Sequence, residues 1–174
     1  DSNQNVQENL TNLISKLGEN IVIRKLVYIN EKLGSLEKYL HNSINQNSGK
    51  IGVLLSFKSN HKTEKVNDFS KNICMHIAAT DPKSMNIESL DKNLVDKERS
   101  IYIEQLKSSN KPDEIIEKIV DGKIKKFYQE VCLLEQTFVM DNKTKIYEYI
   151  AEFNKEHNEN YEIKNFVIFK LGQE

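Results

Sequence analysis

The stretch Ile51-Gly52-Val53-Leu54-Leu55-Ser56-Phe57 is mostly apolar and contains β-branched and aromatic residues. A run of this length and composition predicts a strand. Because so few of its residues are polar, we expect the strand to be covered on both faces or to lie centrally in its sheet. Gly52 inside the run indicates that a neighbouring element approaches closely.

A helix is predicted soon after this strand, over residues 62–80, because its apolar residues recur at helical spacing. Asp81-Pro82 is expected to end it, since the residue before a proline avoids the helical region. The side chains expected to be buried are Val66, Phe69, Ile73, Ile77 and Ala78, with Met75 and His76 toward the flanks.

The segments before the strand also carry regular patterns. Residues 6–17 have helical spacing, and Gly18 follows as a natural C-cap. Residues 21–29 are β-branched and aromatic and predict a strand, and residues 36–40 predict a weaker one. Residues 42–49 are rich in Asn and Ser and predict a loop.

Two charged helices are predicted in the middle of the chain, over residues 87–106 and 112–130, with a polar link at residues 107–111. Ten basic and ten acidic residues lie between positions 83 and 130. The apolar seams are narrow: Ile87, Leu90, Leu94 and Ile101 on one helix, and Ile116, Ile119, Val120, Ile124 and Phe127 on the other. This pattern favours a protruding antiparallel helical hairpin over an ordinary pair of core helices.

The last part of the chain is predicted to contain one helix and one strand. Residues 138–140 form a short apolar segment, and a helix is predicted over residues 143–156 with Asn142 as its cap. Residues 166–171 predict a closing strand. The whole order favours the α+β class, with a small mixed or antiparallel sheet covered by helices and a protruding hairpin.

Composition excludes several classes of protein. The chain has 174 residues and a net charge of −1, so it is neither a generally basic nucleic-acid binder nor an acidic tail. No apolar run is long enough to span a membrane. The polar residues 1–9 predict that no signal peptide is present and that the chain was cut from something longer. Cys74 and Cys132 lie among apolar neighbours, which favours buried free thiols in a reducing compartment.

No pattern in the sequence builds an active site. Phosphate-binding glycine loops and zinc-type histidine pairs are absent. Cys74 and His76 are two positions apart on a predicted helix and therefore point to different faces. His76 is best interpreted as a packed or hydrogen-bonded histidine at the edge of the core. The residues alone therefore indicate an interaction module without a cofactor.

An ordered set of strings nevertheless resembles the core of the bacterial-type translation elongation factor Ts family. The strings are Gly18-Glu19-Asn20-Ile21-Val22-Ile23-Arg24, Tyr39-Leu40-His41, Ile51-Gly52-Val53-Leu54-Leu55, Met75-His76-Ile77-Ala78-Ala79, Lys111-Pro112-Asp113-Glu114-Ile115-Ile116 and Gln136-Thr137-Phe138-Val139-Met140. The family's usual Gln-Pro-Phe-Val has Thr137 in place of proline here.

The resemblance covers only the C-terminal part of that family. Its N-terminal helical domain and its Thr-Asp-Phe-Val motif are missing, and Asn67-Asp68-Phe69-Ser70 is interpreted as a chance near-match. The resemblance implies that residues 1–82 and 131–174 form a core subdomain of the dimerisation type. Residues 83–130 would then be its inserted coiled-coil hairpin.

The family resemblance also implies a function. It implies a guanine-nucleotide exchange factor that acts by binding the GTPase elongation factor Tu, with no enzyme chemistry, no nucleic acid and no membrane. The matching contact positions are Leu17, His41, Val139 and Met140, with Phe138 beside them, although Leu17 and Phe138 could equally be plain core.

Further expectations follow from the same resemblance, and one alternative rests on the helical hairpin instead. A chain without the missing motif is expected to be weak in exchange, and a homodimer is a further expected assembly. The alternative function is a coiled-coil self-association module without exchange activity. We expect a bacterial cytoplasmic location, with a mitochondrion or plastid as the alternative.

Overall fold

A computed structural model describes residues 4–30, 34–107 and 112–172 of the chain. Its contacts divide the chain into two compact units, with the boundary between residues 29 and 30. Each unit is described separately below.

The first unit contains helix α1, Val6–Leu17. Asn5 Oδ1 accepts the Glu8 N–H at 2.9 Å, and the Glu8 carboxylate accepts the Asn5 N–H at 3.0 Å. This reciprocal pair is a capping box, which satisfies two backbone donors at the start of the helix. Gly18 ends the helix with φ 72°, in the left-handed region that glycine adopts without strain. The predicted helix and its C-cap are confirmed.

The strand predicted over residues 21–29 is wrong, because this segment has no regular secondary structure. Its β-branched residues satisfy strand propensity, but a strand needs a neighbouring backbone to pair with. The described sheet contains only three strands, all from the second unit. Leu26 and Tyr28 are accordingly 90% and 84% exposed.

The second unit is built on an antiparallel sheet of three strands, β1 (Ser35–Asn45), β2 (Ser48–Lys58) and β3 (Glu162–Lys170), in the order β1-β2-β3. The central place of β2 confirms the prediction from its apolar run. Gly52 of β2 pairs with Leu40 of β1, and a Cβ at Gly52 would lie 3.4 Å from the Leu40 side chain. This distance is ordinary van der Waals contact, so Gly52 is not required by a close approach of the neighbouring strand.

The loop predicted over residues 42–49 is wrong for most of its length. Pairing between β1 and β2 continues through Ser43–Gly49 and Asn45–Ser48, with a register shift between them, so only a tight turn remains. Asn42 takes a positive φ of 50° and Asn45 Oδ1 accepts the Asn47 N–H at 2.9 Å. The Asn side chains that predicted a loop thus shape a hairpin end instead.

Helix α2, Glu64–Thr80, packs on β1 and β2 and buries the predicted apolar stripe. Its Phe69 ring stacks on Phe153 of helix α5 (Ile146–His157), with ring centroids 3.9 Å apart. Asp81 ends α2 in the left-handed region, which confirms the predicted stop. His76 is fully buried, so its predicted position on the flank of the helix is wrong.

Helices α3 (Lys92–Lys107) and α4 (Asp113–Val131) pack against each other. Leu90, just before α3, clusters with Phe127, while Arg99 pairs with Asp121 at 2.7 Å, so the two helices run in opposite directions. The first helix starts later than predicted, because Asn86 and Ser89 hydrogen-bond each other in a turn and Asp91 caps the Asn93 N–H. Most of the predicted link at residues 107–111 lies outside the described residues.

The base of this helix pair is attached to the rest of the second unit by backbone hydrogen bonds. Lys83 N–H donates to the Val131 carbonyl at 2.8 Å, and Leu133 N–H donates to the Ser84 carbonyl at 2.9 Å. The short 3-10 helix Leu133–Glu135 follows directly. The α+β class is confirmed, whereas the protrusion of the hairpin and the division into subdomains at residues 82 and 131 stay predictions.

The cap predicted for the last helix is wrong. Asn142 lies in a turn with φ 53°, and α5 begins only at Ile146. The Glu148 carboxylate accepts the Lys145 N–H at 3.1 Å, while Asp141 accepts the N–H groups of Lys143 and Thr144. The side chain of Asp141 therefore stabilises this turn where Asn142 was expected to cap a helix.

Candidate functional site

Three of the predicted contact residues lie together in one turn between the 3-10 helix and α5. We call residues 138–142 the Met140 turn. Two backbone hydrogen bonds of 2.8 Å hold it, from the Phe138 N–H to the Thr144 carbonyl and from the Asn142 N–H to the Phe138 carbonyl. Phe138 is 4% exposed, Val139 is half-buried and Met140 is 54% exposed. The turn thus leads from the core to the surface within three residues.

Phe138 anchors the turn from beneath. Its ring stacks on Tyr149 of α5, with centroids 4.3 Å apart, and lies 5.9 Å from the His76 ring. Nearly complete burial gives Phe138 the core role that its sequence left open. Its role as a partner contact stays a prediction.

His76 of α2 holds the middle of the turn through a hydrogen bond. Its Nδ1 accepts the Val139 N–H at 3.3 Å, and its Nε2 lies 2.9 Å from Gln136 Oε1. Since Nδ1 accepts, we assign the ring proton to Nε2, which then donates to Gln136. Burial lowers the pKa of His76, and the hydrogen bond with Gln136 only partly opposes that effect. The geometry therefore fits a neutral imidazole with both nitrogens satisfied.

Gln136 extends this hydrogen-bond network to two further elements. The Thr80 hydroxyl lies 2.9 Å from both Gln136 Oε1 and the His76 carbonyl, which share its one proton, and Gln136 Nε2 donates to the Glu130 carbonyl at 2.6 Å. Gln136 is 3% exposed, so loss of the bond to the Glu130 carbonyl would leave its Nε2 unpaired, whereas its Oε1 has two neighbouring donors. Among the described residues, every buried side-chain nitrogen and oxygen has a partner.

The other two predicted contact residues lie on different elements. His41 is exposed on β1, and its Nδ1 lies 3.1 Å from the Tyr39 hydroxyl. Leu17 is the last residue of α1 in the first unit and is 57% exposed. Of the predicted contact residues, Phe138, Val139 and Met140 therefore share one turn, whereas His41 and Leu17 each lie on an element of their own.

Comparison with known proteins decides the family. The model of the family described as "Elongation factor TS" matches residues 1–173. The chain belongs to the elongation factor Ts family.

Curated relatives named elongation factor Ts agree with this assignment. The protein of Rhodospirillum rubrum is 39% identical over 168 residues, and that of Rhodospirillum centenum is 38% identical over 168 residues. These alignments cover 97% of this chain but 54% and 55% of the two relatives. The Ehrlichia ruminantium (strain Welgevonden) protein is 37% identical over 99% of this chain and 60% of its own length. The chain spans little more than half the length of these relatives.

The described part of this elongation factor Ts family member offers no metal centre. No group of three or more His, Cys, Asp or Glu residues converges there. Within the same ranges no helix is long and apolar enough to cross a membrane. Cys74 and Cys132 are buried free thiols, as predicted, and burial raises the pKa of both. Neither thiol therefore resembles an activated nucleophile.

Two of the residues that support the turn, Gln136 and Thr80, were not predicted from the sequence. The prediction of a hydrogen-bonded or packed His76 is confirmed. His76 and Gln136 are 60 positions apart, so no local spacing connects them. The one available signal was a polar residue, Gln136, placed two positions before an apolar segment.

Proposed function

We propose that this chain is a docking part of an elongation factor Ts, which binds the GTPase elongation factor Tu and takes part in GDP/GTP exchange. The observation that carries the proposal is the Met140 turn. It presents an exposed methionine on a hydrogen-bonded turn over the core, at positions that the family resemblance assigns to the partner. The family membership supports the choice of partner.

Exchange of this kind needs no covalent chemistry. A factor that binds the nucleotide-free GTPase more tightly than the GDP-bound form lowers the affinity for GDP, and thermodynamic linkage makes the effect reciprocal. The chain therefore needs a surface with differential affinity for the two states, and no catalytic residue or cofactor.

The Met140 turn has the physical properties of a binding hot spot. Methionine is enriched at interfaces and adapts its shape to a partner pocket. Because Phe138 and His76 already fix the turn, ordering it on binding costs little entropy. We propose that Met140 and Val139 contact the partner, with His41 and Leu17 as further contacts and Phe138 as support.

The proposed docking part is expected to be weak in exchange by itself. Asn67-Asp68-Phe69-Ser70 is the one near-match to the family's exchange motif, and it lies on α2. Phe69 is 4% exposed and its ring is stacked between Phe153 and Tyr149. A ring held in the core in this way cannot insert into a partner, which supports the interpretation as a chance match.

The antiparallel pair α3 and α4 is proposed as a second arm of the docking part, within residues 83–130. Exposed polar contacts join its two helices, among them Arg99–Asp121 and Lys123–Gln105. Such exposed pairs contribute little stability, so exchanging them for contacts with a partner would cost little. Translation in the bacterial cytoplasm, or in a mitochondrion or plastid, is the proposed setting.

Two assays on the same samples test the proposal. A binding titration with nucleotide-free elongation factor Tu is expected to show complex formation. Release of fluorescent mant-GDP from the GTPase is expected to accelerate only slightly when the chain is added. Absence of binding contradicts the docking function, and full acceleration contradicts the assignment of weak exchange.

Sedimentation at several chain concentrations separates the alternative function. A monomer that still binds the GTPase argues against a self-association module. A stable oligomer that does not bind the GTPase supports that module instead.

A further inference from the structure

We propose that His76 is the positioning residue of the Met140 turn, so that neutral His76 holds the turn in the conformation that binds the partner. This inference rests on the proposed function, and it assigns a role to a buried group that takes no part in exchange itself.

The geometry gives His76 two simultaneous tasks. Its Nδ1 accepts the Val139 N–H, and its Nε2–H donates to Gln136, which Thr80 and the Glu130 carbonyl hold in turn. The imidazole is completely buried, so water cannot replace it as the acceptor for Val139. The backbone of the turn is therefore fixed to α2 at the residue next to the exposed Met140.

The role depends on one acceptor atom. Protonation of His76 puts a hydrogen on Nδ1, which then faces the Val139 N–H donor and removes the hydrogen bond. Burial opposes this protonation, so the folded-state pKa is lowered and the bond survives below the ordinary pKa of a histidine. As pH falls through the lowered pKa, the turn loses its attachment to α2.

The turn contains an ionisable group of its own, Asp141, but hydrogen bonds from the Thr144 side chain and the Lys143 N–H lower its pKa, so it stays ionised to a lower pH than an ordinary carboxyl. On α2, Thr80 is neutral, and the carboxylate of Asp81 is paired with Lys83 and Lys170. From α4, Glu130 offers its backbone carbonyl to Gln136. From α5, Tyr149 lies behind the Phe138 ring, and burial raises the pKa of its hydroxyl. From β1, Glu37 faces Cys74, where its charge adds to the burial that raises the thiol pKa.

A matched pair of substitutions isolates the Nδ1 position. In His76→Asn the side-chain oxygen lies near the place of Nδ1 and can accept the Val139 N–H, but it does not titrate. In His76→Gln the amide reaches toward Gln136 and leaves Val139 without an acceptor. Both variants remove the imidazole ring, so a merely structural role of His76 predicts similar losses of stability and of affinity in both.

Three quantities are measured: the affinity for elongation factor Tu from neutral pH down to the lowest pH at which both proteins stay folded, the urea unfolding of each variant, and the amide shift of Val139 in the ¹⁵N-labelled chain. We expect His76→Gln to bind about tenfold more weakly, as the loss of one buried hydrogen bond implies. We expect His76→Asn to recover most of that loss, with an affinity that no longer weakens toward acid pH beyond what the GTPase itself shows. Equal affinity in the two variants would overturn the positioning role.

The chemical shift of the Val139 amide in the wild-type chain tests the proposal without the partner and without any variant. In the wild-type chain its shift is expected to follow the titration of the His76 ring. An amide that keeps its shift while the ring titrates overturns the proposal. If the wild-type chain shows the coupled shift but does not bind the GTPase, the positioning inference stands and the proposed function fails.

Discussion

The Val139 N–H donates to Nδ1 of His76 at 3.3 Å, across 63 positions of sequence. This bond joins the turn that carries Met140 to the helix that packs on the sheet. The exposed Met140 and the buried residues that support the turn can therefore be substituted separately. Substituting Met140 is expected to change binding, and substituting a buried residue is expected to change stability.

Met140→Ala is expected to weaken binding to elongation factor Tu without unfolding the chain. Methionine 140 is 54% exposed, so its truncation removes little buried area in the free chain. A hot-spot side chain contributes about 1–2 kcal/mol to binding, which corresponds to roughly 5- to 30-fold in affinity. Isothermal titration measures the change. Leu171→Ala is the control, since Leu171 is 79% exposed at the end of β3 and is not a proposed contact. Equal losses in both variants would contradict the role of Met140.

Phe138→Ala, in contrast, is expected to lower the stability of the fold. The ring is buried and stacked on Tyr149, so its removal leaves a cavity and is expected to cost about 3–5 kcal/mol of unfolding free energy. Urea unfolding followed by circular dichroism measures that loss. A variant that is fully stable but does not bind would show that Phe138 contacts the partner directly.

Thr137→Pro restores the family's usual residue and is expected to stabilise the chain by about 0.4–1 kcal/mol. Gln136, with ψ 147°, already has the extended backbone that a following proline requires. The paired residues Thr137 and Lys145 are flanked by hydrogen bonds from Phe138 N–H and Ile146 N–H, so the Thr137 N–H is not needed in this bridge. Thermal unfolding measures the change, with Thr137→Ala as the control. A lower Tm for the proline variant would contradict this account of the backbone.

Asp81→Asn tests the charge cluster at the end of α2. Burial alone would raise the pKa of Asp81, but hydrogen bonds from Lys83 and Lys170 lower it below the ordinary value. A carboxyl with a lowered folded-state pKa stabilises the fold above its unfolded-state pKa, and this contribution is lost as pH falls through the folded value. Asparagine tolerates the left-handed backbone of residue 81 and removes only the charge.

Urea unfolding at pH 7 and near pH 2 measures the effect of this substitution. The wild-type chain is expected to be more stable than Asp81→Asn at pH 7, by less than about 1 kcal/mol because the cluster is partly exposed. The difference should shrink at acid pH. A constant difference at both pH values would show that the carboxylate charge contributes nothing.

The parts of the fold that were predicted from sequence are those with a strong local pattern. The apolar run of β2 and the helical spacing of α2 each bury a continuous face, so their local preference and their packing agree. Residues 21–29 have equally good strand propensity, but no strand forms there, because propensity does not supply a pairing partner. The loop predicted over residues 42–49 was wrong for the reverse reason, since the pairing of β1 with β2 extends into residues that favour turns.

The candidate site, too, was predicted only in part. Residues 138–140 were visible in the sequence as a short apolar segment, but only the family resemblance assigned Val139 and Met140 to a partner. The support from His76, Gln136 and Thr80 could not be predicted, since the hydrogen bonds join positions 56 to 63 residues apart. Only the packing of α2 against the chain after α4 brings those side chains together.

The most direct test of the docking surface is an amide map of the ¹⁵N-labelled chain as elongation factor Tu is added. We expect the largest shifts or line broadening at Val139 and Met140, with further changes at His41 and Leu17. Changes confined to other surfaces, such as the groove between α2 and α5 lined by Asp68 and Glu152, would contradict that expectation.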